Sequence, residues 1–250
     1  MHTIEVRDLV VEYRRPFRKP TRAVDGLSFI VNPGEIVGLV GLNGAGKTST
    51  IKTLMGFQPP TSGTVRISGL PVGDANARRG IGFLPETALY SPYLTPFETL
   101  RLYGQLHGLG GRALSDRIGM LLTSLGVAHR AHHLNRYLSK GMLQRVGIAQ
   151  ALLGEPRLLI LDELSSGLDP LGRRDLRELM RRQRESGVTV LFSSHELSEV
   201  EMLCDRVLVL HRGKLVAEER VETLRGRVES LEDYFVDLVS GAAQEEVKAA

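Results

Sequence analysis

The sequence predicts an α/β fold with a mostly parallel sheet, because short apolar runs alternate with helical patterns along the chain. Three such runs are EIVGLVG (35–41), RLLILDE (157–163) and VTVLFSSH (188–195). Continuous apolar runs of this length are typical of strands that are buried on both faces. Because helical patterns separate them, we expect helical crossovers and parallel pairing.

Turn and cap residues mark the limits of further elements. The segment 206–219 predicts a β-hairpin that turns near Arg212 and Gly213. Thr95 and Glu98 have the spacing of a capping box, and a proline lies between them at the first helical position. A helix is therefore expected to begin directly after Thr95.

Helical patterns account for most of the remaining chain. One helix is expected to begin after Asp169 and to be ended by Gly187. Residues 87–155 lack a convincing strand pattern and predict a helical insert. An amphipathic helix is expected over 229–241, and residues 241–250 are expected to form a frayed tail.

The composition is that of an ordinary globular protein. Of the 250 residues, 42% are hydrophobic and 24% are charged. No apolar run approaches the roughly 18 residues that a membrane-spanning helix needs, and the N-terminus predicts a strand rather than a signal peptide. The single cysteine, Cys204, excludes an internal disulfide. A net charge of +3 does not argue for nucleic acid. The basic segment 14–22 is interpreted as a solvated loop, with contact to lipid headgroups or a partner as the alternative.

The segment Gly41–Ser49, GLNGAGKTS, matches the phosphate-loop pattern G-x-x-x-x-G-K-[ST]. Its glycines let backbone amides turn inward around phosphate oxygens. Lys47 can reach the β- and γ-phosphates of a nucleotide, and Thr48 can hold Mg²⁺. An apolar run precedes the loop and a helical pattern follows it, as this motif requires. The segment predicts a nucleotide-phosphate site, and a purely structural glycine turn is the alternative.

Polar residues end two of the apolar runs. Asp162 and Glu163 follow one run, and open parallel sheets bind ligands beyond the carboxyl ends of their strands. Asp162 can hold Mg²⁺ through water, and Glu163 can orient or deprotonate a water molecule. His195 ends another run and is expected beside the phosphate site. Loop-opening carboxylates and a surface histidine are the structural alternatives.

The segment LSKGMLQ (138–144) begins a helical pattern whose predicted apolar face consists of Leu143, Val146, Ala149, Leu152 and Leu153. Its start contains two notable residues. Ser139 is placed to cap the helix. Gly141 lies in the first turn, where glycine costs roughly 1 kcal/mol relative to alanine. Backbone amides at a helix start bind anions. The segment therefore predicts an anion site, with an ordinary N-cap as the alternative.

Taken in order, the phosphate loop, LSKGM, LLILDE, SGLD and the strand-end histidine resemble the motifs of the ATP-binding cassette (ABC) family. The resemblance covers the chain up to about residue 220. It implies a P-loop NTPase (RecA-like) core with an N-terminal antiparallel β subdomain and an inserted α-helical subdomain. The implied nucleotide-binding domain spans 1–222, with the helical subdomain over about 87–155, and residues 223–250 add a C-terminal helix and a disordered tail.

The resemblance implies an ATP hydrolase that binds Mg-ATP between two subunits. Thr48, Asp162 and Glu86 are the implied Mg²⁺ ligands. Glu163 is implied as the base, and His195 and Lys47 as further catalytic residues. The implied nucleotide contacts are the adenine-stacking Tyr13, the loop residues Gly41, Leu42, Asn43, Gly44, Ala45, Gly46, Lys47, Thr48 and Ser49, and, toward the ATP of the other subunit, Ser139 and Gly141.

Three positions depart from the family pattern. Glu86 stands where a glutamine is usual, Leu164 replaces the proline after the base, and Met142 replaces the last glutamine of the signature. The LPE and LSKGM forms resemble stand-alone ATPase subunits of bacterial ABC-2-type exporters, whose membrane subunits are separate chains. The segment Ser166–Asp169 resembles the loop at the dimer contact.

The resemblance thus implies a cytoplasmic exporter motor, held on the inner face of the cell membrane by integral membrane permease subunits. It is expected to pair with itself or with a related ATPase subunit, and no nucleic-acid partner is expected. A soluble ABC ATPase acting on nucleic acid or ribosomes is the alternative hypothesis. A third hypothesis, a P-loop small-molecule kinase, leaves Ser139, Gly141 and the SGLD segment unexplained.

Overall fold

A computed structural model describes residues 1–14, 16, 19–87, 89–164, 167–226 and 230–249, with the backbone alone over 241–249. The chain divides into two compact units. The first unit comprises Met1–Arg79 and Thr189–Ala250, and it contains the phosphate-loop segment. The second unit, Gly80–Val188, contains the LLILDE and LSKGM segments.

Strands and helices alternate along the chain as predicted. In chain order they are β1 (Ile4–Tyr13), β2 (Thr21–Val31), β3 (Ile36–Val40), α1 (Lys47–Leu54), β4 (Ser62–Ile67), β5 (Leu70–Pro71), β6 (Ile81–Leu84), α2 (Pro96–Leu106), α3 (Gly111–Ser124), α4 (Lys140–Leu152), β7 (Leu158–Leu161), α5 (Pro170–Glu185), β8 (Thr189–Ser194), α6 (Leu197–Leu203), β9 (Arg206–His211), β10 (Lys214–Arg220), α7 (Val221–Arg225) and α8 (Leu231–Ala249). The three predicted apolar strands are β3, β7 and β8, and the predicted hairpin is formed by β9 and β10.

The first unit contains two sets of paired strands. An antiparallel sheet has the order β2-β1-β4-β5. In the second set, β3 lies between β8 and β9 and is parallel to both, while β10 pairs with β9 in the antiparallel sense. All five residues of β3 are buried, which explains its continuous apolar run. The register pairs Val40 with Ser194, so β3 and β8 end side by side.

The second unit combines a parallel strand pair with helices. β6 and β7 pair in parallel, from Ile81 with Leu158 to Leu84 with Leu161. Helices α2, α3 and α4 pack against one another, and α4 also packs on β6. Residues 89–155, which lie in the predicted helical insert, contain helices and no strand.

The predicted helix starts are present with their caps. At α2 the Thr95 hydroxyl accepts from the Glu98 amide at 3.2 Å, and the Thr95 amide donates to the Glu98 carboxylate at 2.9 Å. At α5 the Asp169 carboxylate accepts from the Gly172 amide at 2.7 Å. Each cap satisfies a backbone donor that lacks a partner within its own helix. These two helix boundaries therefore follow from local residues alone.

The C-terminal helix departs from its prediction. Helix α8 begins later and continues further than the predicted segment 229–241. It buries Leu231 and Phe235, and it contacts α6 and β10 of the same unit. Residues 241–249, predicted as a frayed tail, are helical instead, because alanine, glutamate, glutamine and lysine favour helix. None of the described helices is both long and apolar enough to cross a membrane.

A buried ion pair fixes the position at which β3 begins. Arg206, at the start of β9, donates from Nε and Nη2 to the Glu35 carboxylate at 2.9 and 2.8 Å. Nη2 also donates to the Ile30 carbonyl at 2.7 Å. Burial of Glu35 opposes its ionisation, but the hydrogen bonds from Arg206 and Asn32, together with the Arg206 charge, hold the pKa of Glu35 below its ordinary value. Arg206 thereby ties β9 to the residues around the start of β3, the strand that leads into the phosphate loop.

Candidate functional site

The phosphate loop connects β3 to α1 in the first unit. Gly46 has a φ of 107°, and a Cβ atom there would lie 2.6 Å from the Ala23 carbonyl oxygen. Only glycine fits that conformation and that close approach. No side chain among the described residues caps α1. The first-turn amides of α1 therefore face the loop in the arrangement that favours an anion.

The Lys47 ammonium lies inside this loop. Lys47 is 7% exposed. Its Nζ donates to the Gly41 carbonyl at 2.7 Å and to the Leu42 carbonyl at 3.4 Å. The loop thus wraps around a buried positive charge, and it combines that charge with backbone donors. This is the arrangement that binds nucleotide phosphates.

The turn between β9 and β10 is hydrogen-bonded to the backbone of the phosphate loop. The Gly213 amide donates to the Ala45 carbonyl at 2.9 Å, and the Asp25 amide of β2 donates to the Gly213 carbonyl at 2.8 Å. The Asp25 carboxylate lies 2.8 Å from Arg22 and 3.6 Å from Lys214. The loop backbone is therefore linked through the hairpin to the antiparallel sheet.

Two more predicted residues lie at the ends of the phosphate loop. Tyr13, at the end of β1, is half-buried, and its hydroxyl donates to the Ser49 hydroxyl at 3.3 Å. His195 is exposed and follows Ser194, whose partner in the register is Val40, the last residue before the loop. The Tyr13 side chain thus contacts the end of the phosphate-loop motif, and His195 follows the strand beside β3. Their roles toward a nucleotide stay predictions.

Three carboxylates of the second unit lie at the carboxyl end of the β6–β7 pair. The Asp162 amide donates to the Leu84 carbonyl at 2.8 Å, which extends the ladder by one residue, and Asp162 is 3% exposed. Glu163 follows with a φ of 56°, in the left-handed region that non-glycine residues rarely adopt. Glu86 is exposed and lies two residues beyond Leu84. All three carboxylates thus follow one end of the paired strands, and their metal-binding and catalytic roles stay predictions.

The N-terminus of α4 carries the predicted anion-binding segment. The Ser139 hydroxyl accepts from the Met142 amide at 3.2 Å, so Ser139 is the N-cap. A Cβ atom on Gly141 would lie 2.7 Å from the Gly167 carbonyl oxygen. Glycine is therefore required at 141 by the close approach of the loop that follows β7, whatever ligand the helix binds.

A cleft of about 550 Å³ opens at this helix start. It is lined by Ser139 and Gly141 from α4 and by Asp169 at the N-terminus of α5. The Arg145 side chain also lines it, and Arg145 donates to the Leu125 carbonyl at 2.7 Å. The two helix N-termini at this cleft offer backbone amides to a negatively charged ligand. The Asp175 carboxylate also lines the cleft and lies 3.9 Å from Arg145, so the amides rather than the guanidinium are the donors toward such a ligand.

Gln144 is a polar residue that the sequence analysis did not single out. It is 4% exposed, and its side-chain amide donates to the Leu164 carbonyl at 3.2 Å and to the Glu163 carbonyl at 3.4 Å. The predicted apolar face of α4 included Leu143, which is only half-buried, and omitted Gln144. A signal for its burial was available in the sequence. Gln144 lies four residues before Ile148, hence on the same face of α4, and this helix is buried around most of its circumference.

Part of the predicted site cannot be placed. Ser166, expected at the dimer contact, lies outside the described residues, as do Arg15, Phe17 and Arg18 of the basic segment. Leu168 and Asp169 of the same predicted contact loop are described, with Leu168 buried and Asp169 acting as the cap of α5.

Sequence comparison with known proteins identifies the family of this chain. A family model described as ABC transporter matches residues 24–166. An ABC transporter ATP-binding protein of Synechocystis is 38% identical over 236 residues, which are 92% of this chain and 66% of that protein. Nod factor export ATP-binding protein I of Cupriavidus metallidurans is 36% identical over 203 residues, which are 80% of this chain and 67% of that protein. The chain thus spans about two thirds of the length of these relatives.

Comparison with solved structures confirms the predicted fold class. An ATP-binding subunit of an ABC transporter is 36% identical to this chain, with a TM-score of 0.84 and coverage of 94% of this chain and 99% of that chain. A dimeric bacterial ABC transporter cassette is 25% identical, with a TM-score of 0.79 and coverage of 87% of this chain and 98% of that chain. The antiparallel N-terminal sheet, the parallel strands and the helical insert all belong to this fold.

Proposed function

This chain belongs to the ABC transporter family, and on that premise we propose that it is the ATP-hydrolysing subunit of a membrane exporter. The observation that carries the proposal is the glycine loop that surrounds the buried Lys47 ammonium at the start of α1. A triphosphate supplies the negative charge that this loop is built to bind. The similarity to a Nod factor export protein supports export as the direction of transport.

In the proposed reaction, water attacks the γ-phosphorus of ATP. The bond from the γ-phosphorus to the bridging oxygen breaks, and ADP leaves with the electron pair. Glu163 accepts the proton of the attacking water, and His195 stabilises the γ-phosphate. Lys47 and the loop amides hold the phosphates throughout. Positioning and charge stabilisation supply most of the rate, since phosphoryl transfer needs no covalent intermediate on the protein.

We propose that Thr48, Asp162 and Glu86 hold the Mg²⁺ that accompanies ATP. Their hydroxyl and carboxylate oxygens are the hard ligands that Mg²⁺ prefers. The Thr50 hydroxyl donates to the Gly46 carbonyl at 3.0 Å, whereas no described residue forms a hydrogen bond with the Thr48 hydroxyl. That hydroxyl thus fits the role of a ligand. When bound, Mg²⁺ would neutralise charge on the phosphate oxygens.

We further propose that two subunits share each ATP. The cleft at Ser139 and Gly141 would bind the γ-phosphate held by the phosphate loop of the other subunit, and a second identical site follows from twofold symmetry. The support is the pair of helix N-termini, of α4 and α5, at this cleft. The other subunit would be a second copy or a related ATPase.

Integral membrane permease subunits are the proposed partners, and they would hold the chain at the inner face of the membrane. The proposed docking segment is 86–105. The test is affinity purification of the full chain from membranes of its source cells, followed by identification of bound proteins. A copurifying protein with several apolar spans is the expected result. Copurification with ribosomes or nucleic acid alone would contradict the proposal and favour a soluble ABC ATPase.

Two substitutions of Ser139 distinguish the effect of a negative charge at the proposed shared site from the effect of losing the helix cap. Ser139→Asp and Ser139→Asn both keep a good N-cap for α4, but only aspartate adds a negative charge. A like-charge contact with a phosphate costs several kcal/mol, and each ~1.4 kcal/mol changes an equilibrium constant tenfold. Ser139→Asp is therefore expected to lower ATP hydrolysis by roughly 100-fold. The Ser139→Asn variant is the matched control and should retain most of the activity.

The measurement is steady-state ATP hydrolysis, together with nucleotide binding at dilutions where the protein is monomeric. ATP affinity of the monomer should be the same in both variants, because the phosphate loop is unchanged. Equal activity of Ser139→Asp and Ser139→Asn would show that no phosphate approaches this cleft.

A further inference from the structure

The backbone of Glu163 adopts a conformation that its residue type disfavours. Its φ is 56°, and a non-glycine residue in this region crowds its Cβ against the backbone. Leu164, the next residue, is 4% exposed and, unlike proline, leaves its own φ unconstrained. Neither residue type enforces the left-handed turn. Contacts from elsewhere in the second unit must therefore contribute to holding it.

Gln144 provides such a contact. Its buried side-chain amide donates to the carbonyls on either side of the Leu164 Cα atom, at 3.4 Å to the Glu163 oxygen and 3.2 Å to the Leu164 oxygen. A single NH₂ group can donate two hydrogen bonds. The first of these carbonyls belongs to the peptide group directly after Glu163, so the amide constrains the backbone from which the Glu163 side chain leaves, and the second anchors the next peptide group.

We propose that Gln144 is a positioning residue for ATP hydrolysis, which holds the backbone of Glu163 in its left-handed conformation. This inference rests on the proposed function, in which Glu163 is the base. Gln144 acts through Glu163 and does not contact the nucleotide.

The rest of α4 supports the same loop further along. A Cβ atom on Gly141 would lie 2.7 Å from the Gly167 carbonyl oxygen, so the helix backbone and the loop are in close contact there. The Lys140 side chain lies against Gly167, where a Cβ atom would come within 2.9 Å of Lys140 Cγ and Cδ. The first turns of α4 thus contact the loop at Glu163, Leu164 and Gly167. Because Ser139 caps the same helix, α4 both lines the cleft and contacts the backbone of the proposed base.

The principal test is Gln144→Met in the full chain. Methionine keeps the length and approximate volume of glutamine but removes the donor. Loss of positioning at a reacting group lowers rates by as much as about 100-fold, so kcat for ATP hydrolysis should fall by roughly 10- to 100-fold while ATP affinity is unchanged. Normal kcat in a folded Gln144→Met protein would overturn the proposal.

Gln150→Met is the matched control. Gln150 lies on the same helix, and its side chain also makes a hydrogen bond, from the Tyr90 hydroxyl at 3.3 Å. The chemical change is identical, but Gln150 forms no described hydrogen bond with the Glu163 loop. Its kcat should match that of the unaltered protein. If kcat falls equally in both variants, the loss of any side-chain amide from α4 lowers activity. That result would overturn the positioning role of Gln144.

A double variant shows whether Gln144 acts through Glu163. Adding Gln144→Met to Glu163→Gln should lower the residual activity no further, since a positioned base is no longer present. A further fall equal to that of Gln144→Met alone would overturn the proposal. If Glu163→Gln itself hydrolyses ATP normally, the proposed base is wrong and the inference falls with it. If Glu163→Gln is inactive but Gln144→Met is normal, only the inference fails.

Gln144→Glu keeps the test decisive if Gln144→Met does not fold. A carboxyl group buried against two carbonyl oxygens has a raised pKa and donates a hydrogen bond only when protonated. The ratio of its kcat to that of the unaltered protein should therefore rise as pH falls. A ratio independent of pH would overturn the proposal, because Gln144 would then not act as a donor to the Glu163 backbone.

Discussion

Lys47→Ala is expected to abolish measurable ATP hydrolysis. The substitution removes the positive charge that the phosphate loop encloses, and losing one preorganised donor at a reacting group lowers kcat by roughly 10²–10³-fold. A charged hydrogen bond contributes about 1.5–3 kcal/mol, so ATP affinity should also fall by about 10- to 150-fold. The measurements are steady-state hydrolysis and equilibrium binding of ATP.

Lys52→Ala is the control for this experiment. Lys52 lies on the same helix, α1, but its side chain is exposed and it is not part of the phosphate-loop motif. It should hydrolyse and bind ATP like the unaltered protein. Normal turnover by a folded Lys47→Ala protein would show that the loop does not bind the nucleotide's phosphates.

Glu163→Gln is expected to lower hydrolysis by roughly 10²–10⁴-fold without loss of ATP binding. Glutamine keeps the shape of the side chain but cannot accept a proton from water. Because binding persists and hydrolysis does not, the ATP-bound dimer should accumulate. Light scattering in the presence of Mg-ATP measures this dimer directly.

Glu155→Gln is a closely matched control. Glu155 lies in the same unit and also has a positive φ, at 50°, and its carboxylate pairs with Arg117 at 2.7 Å. The substitution therefore repeats the chemical change in a similar backbone setting outside the proposed site. If Glu163→Gln and Glu155→Gln are equally active and neither forms a dimer, Glu163 is not the base. Glu86 would then be the carboxylate to replace next.

The sequence was sufficient for the elements whose limits depend on neighbouring residues. β3 follows from a continuous apolar run, and α2, α4 and α5 begin at Thr95, Ser139 and Asp169, whose side chains cap them. The phosphate loop was predictable for the same reason, because its glycines and Lys47 lie in one short segment. Such features need no knowledge of which distant residues meet.

Contacts between segments distant in the chain were not predictable. Gln144 is 20 residues from Leu164, and nothing local indicates that its amide meets that carbonyl. Periodicity alone placed Leu143 on the buried face of α4, whereas tertiary packing buries Gln144 there. The requirement for glycine at 141 likewise comes from Gly167 rather than from its own helix. The extension of α8 past residue 241 has a local cause instead. The residues of the final segment favour helix, and the prediction of a frayed tail gave this propensity too little weight.

The left-handed backbone at Glu163 lowers the stability of the fold at a residue that is proposed to be needed for turnover. A non-glycine residue in this conformation costs about 1–2 kcal/mol, which glycine would not incur and asparagine would incur less. Selecting variants of this chain only for a higher melting temperature would therefore favour glycine or asparagine at position 163. With Glu163 as the proposed base, either substitution is expected to remove hydrolysis together with the strain. An engineered heat-resistant form should keep this residue fixed and seek its added stability elsewhere in the fold.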